Sequence, residues 1–193
     1  GISIGGDSNS EYIENIKRIE MNQFLKEKQY FYELNISCPN TIDGRTLNDS
    51  PEDLDSVLKE IKKIINVPIS IKISPDSSND IIKKIAEICR FYDQIMINGG
   101  NSQYKSKSEL NIPSNSLTSD GGGLSGVSLF NRTLEVVKIL APFKIPIIAT
   151  GGINNFDQIE ILKKEGVVLF GMATALIFNP YCIPKINFNL KNV

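Results

Sequence analysis

A cysteine at the end of a predicted strand is the residue of this chain best suited to acid–base chemistry. The run Tyr30 to Asn40, YFYELNISCPN, reads as a strand that leads into a polar loop carrying Cys38. Since the chain has no histidine, Cys38 is among the few side chains that could act as a base near neutral pH. Free cysteines are often inert and buried, but the polar surroundings of Cys38 favour a reactive thiol.

The strand that delivers Cys38 has one apolar and one polar face. A period of two sends Leu34 and Ile36 to one side, and Glu33 and Asn35 to the other. A later strand, PISIKIS, alternates in the same way and puts Lys72 on its polar face. Since parallel strands covered by helices on both faces are apolar throughout, the polar face predicts a ligand or a water network.

Lys72 has several possible roles. It could form a structural ion pair, for instance with Glu33. It could instead be a fixed cation beside a cofactor that gains negative charge, such as the edge of a reduced flavin ring. A Schiff-base lysine is also compatible with the sequence.

Carboxamides recur where the predicted strands end. They are Asn35, Asn40, Asn98 and Asn101, with Ser102 beside the last of them. A single loop asparagine usually caps a turn. Four of them at one edge of a parallel sheet suit a planar ligand with amide and carboxylate groups, because a carboxamide both donates and accepts hydrogen bonds.

Small residues follow the last two predicted strands. Gly151 and Gly152 follow one strand, and Gly171, Ala173 and Thr174 end or follow the next. Paired glycines can simply make tight turns. Two such sites on adjacent final strands favour a phosphate-binding arrangement, in which backbone N–H groups converge on an anion.

Strand and helix alternate about six times along the chain, which indicates parallel strands joined by right-handed crossovers. A doubly wound sheet and a (β/α) barrel both fit this order, and the recurring inward polar residues favour an α/β fold of the TIM-type (β/α)8 barrel class. The predicted strands are Ile2 to Ile4, the run before Cys38, Pro68 to Ser74, Gln94 to Asn98, Ile145 to Thr150 and Val167 to Gly171. The predicted helices are Glu11 to Lys28, a helix capped by Ser50 with Pro51 first, Asn79 to Phe91, Asn131 to Leu140, Phe156 to Lys164 and a final turn or two over Met172 to Phe178. The connection 99–122 is predicted to be a lid or binding loop.

Composition narrows the function classes. The 193 residues form one expected domain, 1–193, and a net charge of -1 without a basic stripe argues against a nucleic-acid partner. Three unevenly spaced cysteines and no histidine argue against a disulfide framework and a metal site. We read the compartment as reducing. No apolar run approaches the length of a membrane span.

Six motifs together resemble dihydroorotate dehydrogenases, in the same order and at similar spacing over essentially the whole chain. SCPN and GGLSG are fairly specific, whereas TGGI recurs in many flavin and phosphate-binding barrels. The motifs are ELNISCPNT (33–41), IKIS with Lys72, NGGNS (98–102), GGLSG (122–126), IPIIATGGI (145–153) and GMATAL (171–176).

The resemblance implies an FMN-dependent barrel that oxidises dihydroorotate to orotate in pyrimidine (UMP) biosynthesis. Cys38 is similar to the family's general base, which takes the C5 proton while the C6 hydride passes to flavin N5. Substrate-binding positions of the family match Asn35, Asn40, Asn101 and Ser102. Flavin-binding positions match Lys72, Asn98, Gly123, Gly151, Gly152, Ala173 and Thr174.

The electron acceptor stays open between two classes of the family. A cysteine base resembles the class that passes electrons to fumarate or NAD, and this class is cytoplasmic. The stretches NTIDGRTL and GGGLSGVSLFNRTLEVV resemble the quinone-linked class, which would place the protein peripherally on the cytoplasmic side of a membrane. A homodimer is a further expectation.

The chain begins inside a strand-like segment without a methionine, so we expect it to lack the first two strands of the barrel. Such a six-strand piece would leave two unpaired edges, and on its own it is expected to be unstable and inactive. Two other functions remain open: an FMN barrel acting on a related pyrimidine of the dihydrouracil type, and a non-catalytic barrel that binds a phosphate ligand.

Overall fold

The computed structural model describes residues 1–23, 25, 28–37, 47–113 and 115–191. Within these residues strand and helix alternate, as the sequence predicts. The strands are β1 (Ile2–Ile4), β2 (Tyr32–Asn35), β3 (Ile69–Lys72), β4 (Ile95–Asn98), β5 (Gln103–Ser106), β6 (Gly121–Leu124), β7 (Ile147–Thr150) and β8 (Val167–Gly171). The helices are α1 (Asn9–Glu20), α2 (Pro51–Ile64), α3 (Asn79–Cys89), α4 (Phe130–Leu140), α5 (Phe156–Lys164), α6 (Thr174–Phe178) and α7 (Cys182–Lys191), with 3-10 helices at Val127–Leu129 and Ala141–Phe143.

Six of the strands form one parallel sheet in the order β1-β2-β3-β4-β7-β8. The order advances in one direction only, whereas a doubly wound sheet reverses its order at a switch point. Each of the six strands is followed by a helix, and α1 packs on α2, α2 on α3 and α3 on α4. The sequence-based prediction of six βα units with (β/α)-barrel topology is confirmed.

In β2, β3 and β4 one face is apolar and buried under the helices, and the other carries the polar side chains. Tyr32 and Leu34 of β2, and Ile71 and Ile97 of the next two strands, are fully buried on the side that the helices cover. In the register of the sheet, the alternate positions pair with one another across β2, β3 and β4: Glu33 with Ser70, Asn35 with Lys72, and Lys72 with Asn98. The polar side chains therefore share the inner face of the sheet.

The helices follow the apolar stripes of the sequence, with two differences at their ends. The first helix ends at Glu20 instead of Lys28, because its apolar stripe ends at Ile19 and the exposed Met21 has nothing to bury against. The second helix begins at Pro51 as predicted, but the Ser50 side chain makes no capping hydrogen bond; its carbonyl accepts from the N–H groups of Asp53 and Leu54 instead.

Two elements were not predicted. The connection 99–122 contains an antiparallel hairpin, formed by β5 and β6, and α7 follows the last predicted helix. At the ends of the sheet, β1 and β8 each pair on one side only within the described residues. In that same part of the chain, the helices are all too short or too polar to cross a membrane.

Candidate functional site

A cavity of about 640 Å³ lies at the carboxyl ends of the strands, where barrels place their ligands. Four strands of the six-stranded sheet and the hairpin strand β6 deliver residues to it at or just after their last positions. The lining includes Lys72, Gly100, Asn101, Ser102, Ser125, Gly126, Thr150, Gly151, Gly152, Gly171, Met172, Ala173, Thr174 and Phe178. Seven of the sequence-predicted site residues, Lys72, Asn101, Ser102, Gly151, Gly152, Ala173 and Thr174, thus meet in one cavity.

One wall of the cavity is a backbone turn that requires glycine. Gly151 and Gly152 follow β7 with φ of +120° and +73°, in a region that L side chains rarely adopt. A Cβ on Gly152 would also clash with the backbone nitrogen of Phe130 at the start of α4. The wall is therefore made of main chain instead of side chains, which lets a ligand approach closely.

Hydroxyl groups hold the loops of this wall in place. The Thr133 hydroxyl, on the buried face of α4, donates to the carbonyl of Gly151 at 2.9 Å. On the opposite side, the Thr174 hydroxyl donates to Ser125 Oγ at 3.2 Å. The second bond ties the loop after β8 to Ser125, which directly follows β6 in the GGLSG segment. Gly151, Gly152, Ala173 and Thr174 thus line one cavity, and hydroxyl groups hold the loops that carry them.

Lys72 brings a positive charge to the cavity. It is half-buried at the end of β3, and it makes no ion pair with any residue that the structure describes. The ion pair between Lys72 and Glu33, one of the alternatives from the sequence, is not formed. Glu33 Oε2 instead accepts a hydrogen bond from Asn98 Nδ2 at 2.8 Å.

A chain of hydrogen bonds links two of the predicted carboxamides, Asn35 and Asn101. Ser37 Oγ donates to Asn35 Oδ1 at 3.1 Å, and Asn101 Nδ2 donates to Ser37 Oγ at 2.9 Å. The Ser102 N–H donates to Asn101 Oδ1 at 2.9 Å. The loop after β4 is thereby fastened to the end of β2. Asn35, Asn101 and Ser102 are brought together as expected.

The remaining predicted residues are placed differently. Cys38 and Asn40 lie outside the described residues. Gly123 lies in the exposed hairpin strand β6, where a Cβ would clash with the Ser102 hydroxyl, so it borders the loop after β4 instead of the glycine wall. Cys89 is buried in the core, as predicted from its helix stripe, and burial raises the pKa of its thiol to about 12, which keeps it protonated.

Several lining residues were missed from the sequence. Thr150 is the last residue of β7, and its position directly before Gly151 was a usable signal. Gly100 was not singled out, although a Cβ there would overlap the Thr150 carbonyl. That requirement depends on how closely the loop after β4 approaches β7. Such a distance cannot be read from the local sequence.

Comparison with known proteins shows the family of the chain. The family described as dihydroorotate dehydrogenase matches the chain over residues 1–193. A curated dihydroorotate dehydrogenase (quinone) from Crocosphaera subtropica is 31% identical over 178 residues, which are 87% of this chain and 47% of that protein. The catalytic subunit of dihydroorotate dehydrogenase B (NAD(+)) from Lachnoclostridium phytofermentans is 26% identical over 187 residues, 96% of this chain and 60% of that protein.

A solved structure shows the same fold. Dihydroorotate dehydrogenase from Eimeria tenella, in complex with ferulenol, superposes with a TM-score of 0.79 at 20% identity. The match covers 100% of this chain and 57% of that one. The chain thus spans about half the length of the proteins that it matches.

The glycine wall can be tested by two alanine substitutions. Gly152→Ala adds a side chain at a positive φ and against the Phe130 backbone, whereas Gly166→Ala adds one at φ +90° with open space around it. We expect Gly166→Ala to cost about 1–2 kcal/mol from the backbone conformation alone, and Gly152→Ala to cost about 1–3 kcal/mol more from crowding. Urea unfolding measures both, and equal losses would contradict the close packing described here.

Proposed function

The chain belongs to the dihydroorotate dehydrogenase family, and on that premise we propose that it forms the ligand-binding part of an enzyme that oxidises dihydroorotate to orotate in pyrimidine biosynthesis. We propose FMN as the cofactor. The observation that carries the proposal is the single cavity with main-chain glycines at one wall, and Lys72 with Asn101 and Ser102 at the others.

The donors and acceptors around the cavity fit a flavin mononucleotide. The space among Gly151, Gly152, Ala173 and Thr174 suits the phosphate, since main chain can approach it closely there. Lys72 suits the ring, because a fixed ammonium stabilises the negative charge that a flavin gains on reduction. When bound, the flavin supplies an acceptor for the hydride that leaves C6 of dihydroorotate.

The chain's own residues would hold the substrate and move its proton. Asn35, Asn40, Asn101 and Ser102 offer donors and acceptors for the amide and carboxylate groups of dihydroorotate. Cys38 would take the C5 proton as the C6 hydride leaves, so that the C5–C6 double bond of orotate forms. The hydrogen bonds from Asn101 to Ser37 and from Ser37 to Asn35 hold the substrate-side loops before any ligand binds.

The electrons would then pass to a second acceptor. The names of the relatives include a quinone and NAD(+), and a reduced flavin can pass its electrons to either. Fumarate is the third possibility from the sequence. If the acceptor is a quinone, we expect the protein to lie at the cytoplasmic face of a membrane. If it is NAD(+) or fumarate, we expect the protein in the cytoplasm.

The activity can be tested by anaerobic spectroscopy. The purified protein that carries this chain should show the visible absorption bands of a bound flavin, and dihydroorotate should bleach them without oxygen. A protein that binds no flavin would overturn the proposal. Flavin that dihydrouracil bleaches and dihydroorotate does not would favour the related pyrimidine oxidoreductase.

The role of Cys38 can be tested by two substitutions. Cys38→Ala should leave FMN binding nearly unchanged and slow flavin reduction by about 10²- to 10⁴-fold, the usual effect of losing a general base. Cys38→Ser replaces the thiol by a hydroxyl that can still exchange a proton. We expect its rate of flavin reduction to lie between those of the wild type and Cys38→Ala. Stopped-flow reduction by dihydroorotate measures the rates. If Cys38→Ala reduces its flavin as fast as the wild type, Cys38 is not the base.

The role of Lys72 can be tested by its neutral counterpart. Lys72→Met keeps much of the volume and removes the charge, so reduced FMN should lose about 10- to 100-fold in affinity relative to oxidised FMN. The midpoint potential should then fall by about 30 to 60 mV for a two-electron couple. Lys84→Met, on the exposed face of α3, is the matched control. An unchanged potential in Lys72→Met would show that this lysine is not beside the ring.

A further inference from the structure

Glu33 is a carboxylate on the inner face of the sheet for which the sequence analysis gave no role beyond an ion pair with Lys72. It lies in the middle of β2 and pairs in register with Ser3 on one side and Ser70 on the other. Its hydrogen-bond donor comes from the next strand but one: Asn98 Nδ2 reaches across β3 to Glu33 Oε2, at 2.8 Å. The bond thus links β2 to β4 over the inner surface of β3.

This bond fixes which end of the Asn98 carboxamide is a donor and which is an acceptor. An ionised carboxylate accepts hydrogen bonds and donates none, so only Nδ2 of the amide can face Glu33. The amide oxygen then points away from Glu33. Asn98 is 7% exposed, and its Oδ1 has no hydrogen-bond partner in the described structure. A buried acceptor left without a donor costs free energy, so this oxygen is suited to a donor that a ligand brings.

The surroundings of Asn98 point to the same ligand as the cavity does. Its neighbour in register is Lys72, which lines the cavity at the end of β3. Ser70, two residues earlier on the same strand, is fully buried and its hydroxyl also lacks a partner among the described residues. Two polar groups without a partner, Asn98 Oδ1 and Ser70 Oγ, therefore lie on the inner face near Lys72, the cation that we assign to the flavin.

We propose that Glu33 is a positioning residue for the cofactor: by accepting from Asn98 Nδ2, it holds the Asn98 carboxamide so that its oxygen accepts a hydrogen bond from the bound flavin. The inference rests on the proposed function, since it needs a flavin in the cavity. Glu33 acts through Asn98 and through no contact of its own with the ligand.

The test exchanges the carboxylate of Glu33 and the carboxamide of Asn98, first one at a time and then together. Glu33→Gln keeps the shape but offers both an acceptor and a donor to the Asn98 amide, which is then no longer held in one orientation. Asn98→Asp places two carboxylates against each other. In the double variant, the glutamine introduced on β2 can donate to the aspartate introduced on β4, so the side chain at position 98 again presents an acceptor. Glu87→Gln, on the exposed face of α3, is the same substitution without a partner and serves as the control. FMN affinity is measured by fluorescence quenching on the flavin-free protein, and the stability of the flavin-free protein by urea unfolding.

We expect Asn98→Asp to weaken FMN binding about 5- to 100-fold, the scale of one mismatched buried hydrogen bond. Glu33→Gln should weaken FMN binding about 2- to 10-fold, because the bond to Asn98 loses its charged acceptor and its fixed direction. The double variant should return to within about threefold of the wild type, the mark of a direct coupling between the two residues. Recovery of folding and FMN binding in the double variant would confirm the coupling even if the single variants do not fold.

Three results would overturn the inference while leaving the proposed function intact. The first is that Glu33→Gln binds FMN as tightly as Glu87→Gln does. The second is that the double variant does not fold, or binds FMN no better than the single variants. The third is that the single variants lose stability to urea but keep their affinity for FMN. A wild-type protein that binds no FMN would overturn both, and it is the only result that removes the proposed function as well.

Discussion

The site depends on the two-residue period of the parallel strands. Tyr32, Leu34, Ile71 and Ile97 are fully buried under the helices, and burying each such side chain contributes about 1.5–3 kcal/mol. A slip of one residue would turn all of them to the other face and would move Lys72 and Asn98 into the apolar layer. The apolar residues therefore hold the polar ones in place. The geometry of the cavity therefore depends on how the apolar side chains pack between the sheet and the helices.

The two walls of the cavity are built by different means. On the glycine side, the backbone itself forms the surface, and the hydroxyls of Thr133 and Thr174 hold its loops. On the side of Lys72, side chains form the surface, and a hydrogen bond from Asn101 to Ser37 holds the loop after β4 against the end of β2. The first wall suits a ligand group that any N–H can bind, such as a phosphate. The second suits a ring whose donors and acceptors must be matched one by one.

The amino-acid sequence was sufficient for the features that repeat locally. Alternation predicted the inner position of Lys72, and the paired glycines predicted the wall at Gly151 and Gly152. Features that depend on register or on close approach could not be predicted: the bond from Asn98 to Glu33 needs three strands aligned, and Gly100 is required only because β7 lies beside it. The β5–β6 hairpin was missed because its strands have no apolar alternation. The first helix was predicted too long because residues with good helix propensity, among them Met21, Gln23 and Leu25, follow the point where its apolar stripe ends.

The most direct test of this account is a crystal structure of the protein with FMN bound. We predict the phosphate between Gly151–Gly152 and Ala173–Thr174, with the ring reaching Lys72 and a ring N–H donating to Asn98 Oδ1. A flavin lying at another site, or lying in this cavity with its phosphate beside Lys72 and its ring at the glycine wall, would contradict the central claim.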